Sequence, residues 1–326
     1  MSKVSIIMPA KNAEKWIGAT IDSILNQSHS NWELICIDDH STDNTFEILE
    51  QLSNNNPKIK IYKNQGTGII PALQLGIKNA DGRFICRMDA DDIMPKYRLK
   101  QMADKLNVST GKTIITGKVE YFSNGDVSEG YLNYQSWLNE RVDKADHWKH
   151  IYRECIIASP NWMAKKADLI NDEIFDQLEY PEDYSMCFLW KQSDYEVHSV
   201  PNTTLLWREH PERTSRNSST YDQESFFNLK LNWFNINHKE GSIAILGAGQ
   251  KGKLVINKLK EFTREIKWYD LKHEQYNSPI EGLYINNYNE LNEDFLLIAI
   301  YPKQQSELLK FLQMKGYEIG LNAWFL

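Results

Sequence analysis

Four short apolar runs, each followed by a stretch with helical spacing, constrain this chain more than any other feature. Residues 4–9, 32–37, 59–62 and 84–88 are strand-length, and the first three carry few charges. Between them, residues 13–27 place Trp16, Ile17, Ile21, Ile24 and Leu25 at helical intervals, and Phe46, Ile48, Leu49 and Leu52 repeat the pattern. A third helix is expected over residues 71–79, before the Asp81-Gly82 turn. Strand and helix in strict alternation predict an α/β fold: a mostly parallel sheet covered by helices on both faces. Such sheets bind ligands beyond the carboxyl ends of their strands. Pro9-Ala10-Lys11-Asn12, Asp38-Asp39 and Asp89-Ala90-Asp91 all fall at such ends. Three polar strand ends on one rim favour a ligand site over three unrelated caps.

The last of these ends carries the densest chemistry. Phe84 to Met88 is apolar except for Arg87, and it runs into Asp89-Ala90-Asp91-Asp92. Side chains at i and i+2 of an extended segment point the same way, so Asp89 and Asp91 can converge. Converging carboxylates repel unless a cation lies between them. Oxygen ligands of this type suit Mg²⁺ or Mn²⁺, which completes its shell with water and substrate phosphates. The structural alternative is an Asp-rich N-cap with Pro95 in the first helical turn.

Composition removes several function classes. A net charge of -7 argues against affinity built on nucleic-acid phosphates. The four cysteines are widely spaced, without a CxxC pair, so neither a disulfide framework nor a zinc site is indicated. No apolar run approaches the ~20 residues of a membrane span, and a strand begins at Val4 without a leader. The expectation is a cytoplasmic protein without an integral membrane segment. Peripheral contact with the inner face of the membrane and homo-oligomer formation stay open.

Residues 4–45, followed by 80–102 with Arg87-Met88-Asp89-Ala90-Asp91-Asp92, resemble the start of a family 2 glycosyltransferase of the GT-A fold. The likeness is close over residues 4–105 and looser to about residue 215. It implies a nucleotide-diphosphate sugar donor, most often a UDP-sugar, an inverting reaction, and a glycan or lipid-linked acceptor in cell-surface polysaccharide synthesis. Position by position, it puts Pro9, Lys11 and Asn12 in the first donor loop. Asp39 matches the carboxylate that contacts uracil, with Asp38 beside it. Asn64 and Gly66 begin the family's next donor segment, in which Leu73 and Gln74 replace its usual Arg and Asn. Asp89, Ala90 and Asp91 match the metal-and-diphosphate motif, while Arg87 and Arg98 fit one subgroup's pattern.

Tyr180-Pro181-Glu182-Asp183 can be read in two ways. Pro with two acids is a good helix start. The resemblance makes Asp183 the general base, with Glu182 second. Arg208 to Ser215 is similar to the family's R-x-H-x-x-x-x-S segment, implying Arg213 on phosphate and His210 on phosphate or metal. Residues 197–207 read as a strand pair broken at Pro201-Asn202, and residues 221–238 as a terminal helix.

The pattern restarts after Gly241. A strand at 242–246, the turn Gly247-Ala248-Gly249-Gln250-Lys251-Gly252, a helix, and a strand ending in Asp270 suggest a small Rossmann-like module over residues 240–326. About one mononucleotide half is visible, which favours a degenerate accessory domain over a working dinucleotide site. The expected organisation is a transferase domain at 1–239, with a nucleotide-sugar half at 1–105 and an acceptor half at 106–239, then this module. The rival readings are a nucleotide-sugar oxidoreductase using the Gly-rich turn, a sugar-nucleotide pyrophosphorylase, and a nucleotide-sugar-binding scaffold without activity. The pyrophosphorylase normally needs a Gly-rich loop after strand one, where this chain has Pro9-Ala10-Lys11-Asn12.

Overall fold

The computed structural model describes residues 1–262, 264–300 and 305–326, with every side chain among them except those of Ser215 and Ser219. The chain divides into two compact units. The first comprises Met1–His147 with Ile156–Asn217, the second Trp148–Cys155 with Ser218–Leu326.

In the first unit, strand and helix alternate as the apolar runs require. They follow as β1 (Val4–Ala10), α1 (Ile17–Leu25), β2 (Trp32–Asp38), α2 (Thr45–Asn55), β3 (Ile59–Lys63), α3 (Ile69–Asn79) and β4 (Phe84–Arg87). Then come α4 (Arg98–Val108), β5 (Thr113–Phe122), α5 (Glu129–Lys144), β6 (Met163–Lys165), α6 (Lys166–Asn171), α7 (Glu182–Gln192), β7 (Glu196–Arg208) and the short α8 (Thr214–Asn217). The described strands form one sheet in the order β3-β2-β1-β4-β6-β5-β7. Neighbours from β3 to β4 run parallel, whereas β6 is antiparallel to both β4 and β5. Every residue of β2 is buried, as a strand covered on both faces must be.

Two features of this unit differ from expectation. The sequence reads as a helix over residues 165–171 after Met163, whereas residues 163–165 form the three-residue β6 that joins the two halves of the sheet. The expected strand pair at 197–207 is one strand, β7, parallel to β5. Val200 lies opposite Gly117 and Thr203 opposite Lys118, so Pro201 and Asn202 bulge out of the ladder. Pro has no N–H to give to it, and the strand absorbs the break without reversing.

The second unit holds α9 (Gln223–Asn237), β8 (Ile243–Leu246), α10 (Gln250–Leu259), β9 (Ile266–Asp270), β10 (Ile285–Asn287), β11 (Phe295–Ile298), α11 (Gln305–Met314) and β12 (Ala323–Phe325). α9 was expected to close the transferase domain, with the boundary at residue 239. Its Phe234 instead packs edge-on against Phe295 and Trp324, which groups the helix with the second sheet. That sheet is wholly parallel, in the order β10-β9-β8-β11-β12. Strands therefore extend to both sides of β8, and the expectation of a single mononucleotide half is corrected. The three-residue β10 and β12 are too short to read from periodicity.

Packing accounts for the Gly-rich turn. Gly247 has φ 117°, and a Cβ on Gly252 would collide with the Gly247 carbonyl. Asp270, at the end of β9, accepts the Ala248 N–H at 2.7 Å and the Lys272 N–H at 2.8 Å.

The helix-to-sheet distance in the first unit is tight at Gly76 of α3, where a Cβ would strike Ile7 and press on Ile37. Ala normally stabilises a helix over Gly by ~1 kcal/mol, but overpacking a rigid core costs about 1–3 kcal/mol. Gly76→Ala should therefore lower stability in urea unfolding. A stabilised variant would show that α3 rides higher on the sheet than described.

Candidate active site

The carboxyl ends of β1, β2 and β3 lie side by side because their backbones hydrogen-bond in register. Asp39 N–H donates to the Ala10 carbonyl at 2.8 Å, and Asn64 N–H to the Asp38 carbonyl at 2.8 Å. Asp39 is buried and accepts from Asn64 Nδ2 at 2.6 Å, Gly68 N–H at 3.0 Å and Lys11 Nζ at 3.2 Å. Burial pushes its pKa up, but these three donors outweigh it and hold the carboxyl below its ordinary value. Asn12, at φ 50°, takes the Thr42 N–H on its side chain at 2.8 Å and clamps the β1 and β2 loops together. Gly66 N–H reaches Asn64 Oδ1 at 3.2 Å, and Pro9 lies in β1 opposite Ile37. Asp38 is buried, with Oδ1 lacking a partner among the described residues.

The acidic turn follows β4 directly. Met88 N–H still pairs with Ile7 at 3.0 Å, and the Ala90 carbonyl accepts Thr20 Oγ1 at 2.9 Å. α4 begins only at Arg98, so Asp89, Asp91 and Asp92 cap no helix and that reading of the triplet falls away. Asp91 Oδ2 meets His210 Nε2 at 2.8 Å, and the His210 ring lies on Trp16 with centroids 3.9 Å apart. Arg208 ties the end of β7 to the same turn: Nε donates to the Asp91 carbonyl at 2.6 Å, and N–H to Asp92 Oδ1 at 2.8 Å. Asp92 Oδ2 is buried without a partner among the described residues. Burial, and then the charges of Asp91 and Asp89, drive the Asp92 pKa well up. Asp89 is also raised, by burial ahead of Asp91, although Arg87 opposes this.

Arg87 joins this turn to α7. Its guanidinium is buried, with Nε 2.7 Å from Asp89 Oδ1 and Nη1 2.9 Å from Glu182 Oε1. Arg98, also buried, donates from Nη2 to the Arg87 carbonyl at 3.0 Å and to the Pro160 carbonyl. Asp183 is partly exposed at the α7 N-terminus and accepts the Tyr184 N–H at 2.8 Å. Burial first, and then the charge of Glu182, push its pKa up to about 7, against the pull of Arg87. Beside it runs a narrow cleft walled by Arg87, Ile157, Ser159, Trp162, Met186 and Trp190.

The family model described as Glycosyl transferase family 2 matches residues 5–168, half of the chain. The chain belongs to glycosyl transferase family 2. An uncharacterized glycosyltransferase of Haemophilus influenzae is 29% identical over 68% of this chain and 69% of its own length. The UDP-Glc:alpha-D-GlcNAc-diphosphoundecaprenol beta-1,3-glucosyltransferase WfgD of Escherichia coli is 38% identical, over 38% of this chain and 48% of its own. S. aureus TarS 1-349 in complex with UDP-GlcNAc matches 80% of this chain and 73% of that one, with TM-score 0.54 and 17% identity. The mannosyltransferase PcManGT of Pyrobaculum calidifontis, in complex with GDP-Man and Mn2+, matches 80% and 70%, with TM-score 0.51 and 16% identity. These likenesses establish a GT-A fold.

Two sequence expectations for this glycosyltransferase change in the structure. Asp89, Asp91 and His210 were expected to meet around a cation. Among the described residues no group of three or more His, Cys, Asp or Glu is so arranged, because Asp89 turns to Arg87 while His210 pairs with Asp91. Arg213 was expected on phosphate. Its guanidinium instead pairs with Glu209 at 3.2 Å and lies among the rings of Tyr121, Tyr131 and Trp207. The Ser215 side chain, last of that segment, lies outside the described residues.

Three contributors went unread in the sequence. Trp16 was taken as part of a core stripe, and Arg208, read as opening the R-x-H-x-x-x-x-S segment, was given no contact of its own. Tyr180, whose hydroxyl takes N–H groups of Ile69 and Ile70 beside Gly68, was visible only as the residue before Pro181.

Asp92 offers a test of this electrostatic picture. Asn keeps the acceptor for Arg208 N–H and removes a charge that burial and Asp91 disfavour, so Asp92→Asn should stay within about 0.5 kcal/mol of the parent. Asp92→Ala, which strands that N–H, should lose about 1–3 kcal/mol in urea unfolding. Equal losses would mean that Asp92 is needed as an anion.

Proposed function

We propose that this glycosyltransferase moves a sugar from a nucleotide-diphosphate sugar, a UDP-sugar in the first instance, to a hydroxyl of a glycan or lipid-linked acceptor, with inversion. The observation that carries this reading is the Arg87 bridge: one guanidinium touches the acidic turn on one side and the Glu182-Asp183 helix start on the other. Donor-facing and acceptor-facing acids thus share one site. Asp39, fixed by three donors, presents a set acceptor to a nucleobase N–H. The names of WfgD and TarS, with their UDP-sugars, support the donor class. A lipid-linked acceptor, as in the WfgD name, would bring the enzyme to a membrane surface, although no described helix is long and apolar enough to cross one.

Asp183 is the general base of this proposal. With its pKa near neutrality it can take the acceptor hydroxyl proton as the oxygen attacks the anomeric carbon opposite the leaving diphosphate. The space beside it is too narrow to admit a water molecule and is mostly apolar and aromatic, which limits water as a competing acceptor.

A divalent cation, Mg²⁺ or Mn²⁺, fits the acidic turn. Asp89 and Asp92 are both raised, first by burial, with the charge of Asp91 adding to it, so a cation beside Asp91 would relieve like-charge repulsion. Of the expected ligands Asp91 would hold the ion, and donor phosphates and water would complete a shell that the described residues do not form by themselves. When bound, the cation neutralises charge growing on the leaving phosphate oxygen.

Asp183→Asn should lower acceptor-dependent transfer by about 10²–10⁴-fold with donor affinity little changed. Because the base acts deprotonated, wild-type turnover should fall as pH drops through about 7. Near-normal turnover in the Asn variant would leave Asp183 as part of a helix start. Separately, EDTA or Asp91→Ala should abolish transfer while the unfolding transition survives. Activity indifferent to both would remove the cation from the account.

A further inference from the structure

The acid pair at the start of α7 is not a pair of equals. Glu182 is 1% exposed, and its Oε1 lies 2.9 Å from Arg87 Nη1. The same guanidinium, 3% exposed, spends Nε on Asp89 Oδ1 at 2.7 Å. Asp183 is the more open of the two and lines the cleft, together with uncharged Ile157, Ser159, Trp162, Met186 and Trp190. A carboxylate buried against a guanidinium is poorly placed to receive a substrate proton, since doing so breaks a desolvated ion pair.

We propose that Arg87 and Glu182 are positioning residues: the pair fixes the α7 N-terminus against the donor turn, aims Asp183 into the cleft, and takes no proton itself. This deepens the function proposed above and rests on Asp183 as its base. Charged groups reach Asp183 from each side. Glu182 repels from its own helix, Arg87 attracts from the end of β4, and Asp89 repels from the acidic turn. Glu182 thus works through its neighbour. Its charge keeps Asp183 basic enough to work near neutral pH, and Arg87 limits that effect. Arg suits this place because its planar fork can serve two carboxylates at once, which an ammonium on a Lys stem does less well.

The experiment is a pH–rate profile of UDP-sugar transfer by full-length Glu182→Gln, beside wild type and Asp183→Asn. Gln keeps an oxygen for Arg87 and removes only the charge. The acid limb should move down by about one pH unit, with plateau kcat within about tenfold of wild type. An unmoved limb overturns the tuning role. A loss of about 10²-fold or more at every pH makes Glu182 itself the base and overturns the proposal. Normal turnover in Asp183→Asn removes the underlying base assignment, a failure distinguishable from the other two. Should Glu182→Gln not fold, Arg87→Lys takes its place: kcat should fall roughly ten- to hundredfold with the limb retained. An unchanged kcat there would overturn the bridge.

Discussion

A single buried guanidinium holds the site of this glycosyltransferase together. Arg87 leaves β4 at the point where the sheet ends, and its contacts with Asp89 and Glu182 bring two distant stretches of chain to one place. Burying an ion pair rarely adds net stability, because desolvation offsets most of the attraction. Such a pair specifies geometry instead, and its loss would leave two carboxylates facing each other in a site already rich in them. Arg98 reinforces it from below through the Arg87 carbonyl.

The rest of the site follows from topology. Parallel strands β1, β2 and β3 end in register, so the loops holding Lys11, Asp39 and Asn64 meet without any long-range search. The antiparallel β6 carries the sheet on to β5 and β7, and β7 then returns its end to the acidic turn, where Arg208 fastens it. His210 reaches Asp91 only because of that return. The loops of Lys11, Asp39 and Asn64, the acidic turn and the start of α7 thus gather at one rim.

Much of this was legible in the sequence because it depends on short-range pattern. Residues 4–105 announce their strands through apolar runs and their chemistry through acids at the ends of those runs. Position alone brings the strand ends Asp38-Asp39 and Asp89-Ala90-Asp91 to one rim, while individual roles within them came from the family resemblance. What escaped detection depends on partners far away in the chain. Nothing local shows that Arg213 meets Glu209 and aromatic rings, or that Asp89 turns to Arg87. Strand β7 looked broken because Pro201 signals a turn, yet a parallel neighbour carries the strand through it. The three-residue β6, β10 and β12 are too short for periodicity to register, and so the second sheet was underestimated.

The central claim is an in-line displacement of a nucleoside diphosphate by a hydroxyl. Slow hydrolysis of an α-linked UDP-sugar, with water as acceptor, tests it without knowledge of the natural acceptor. Time-resolved ¹H NMR should show the free sugar appearing first as the β anomer, together with UDP, before mutarotation mixes the anomers. An α anomer appearing first, or sugar 1-phosphate in place of UDP, would contradict the mechanism.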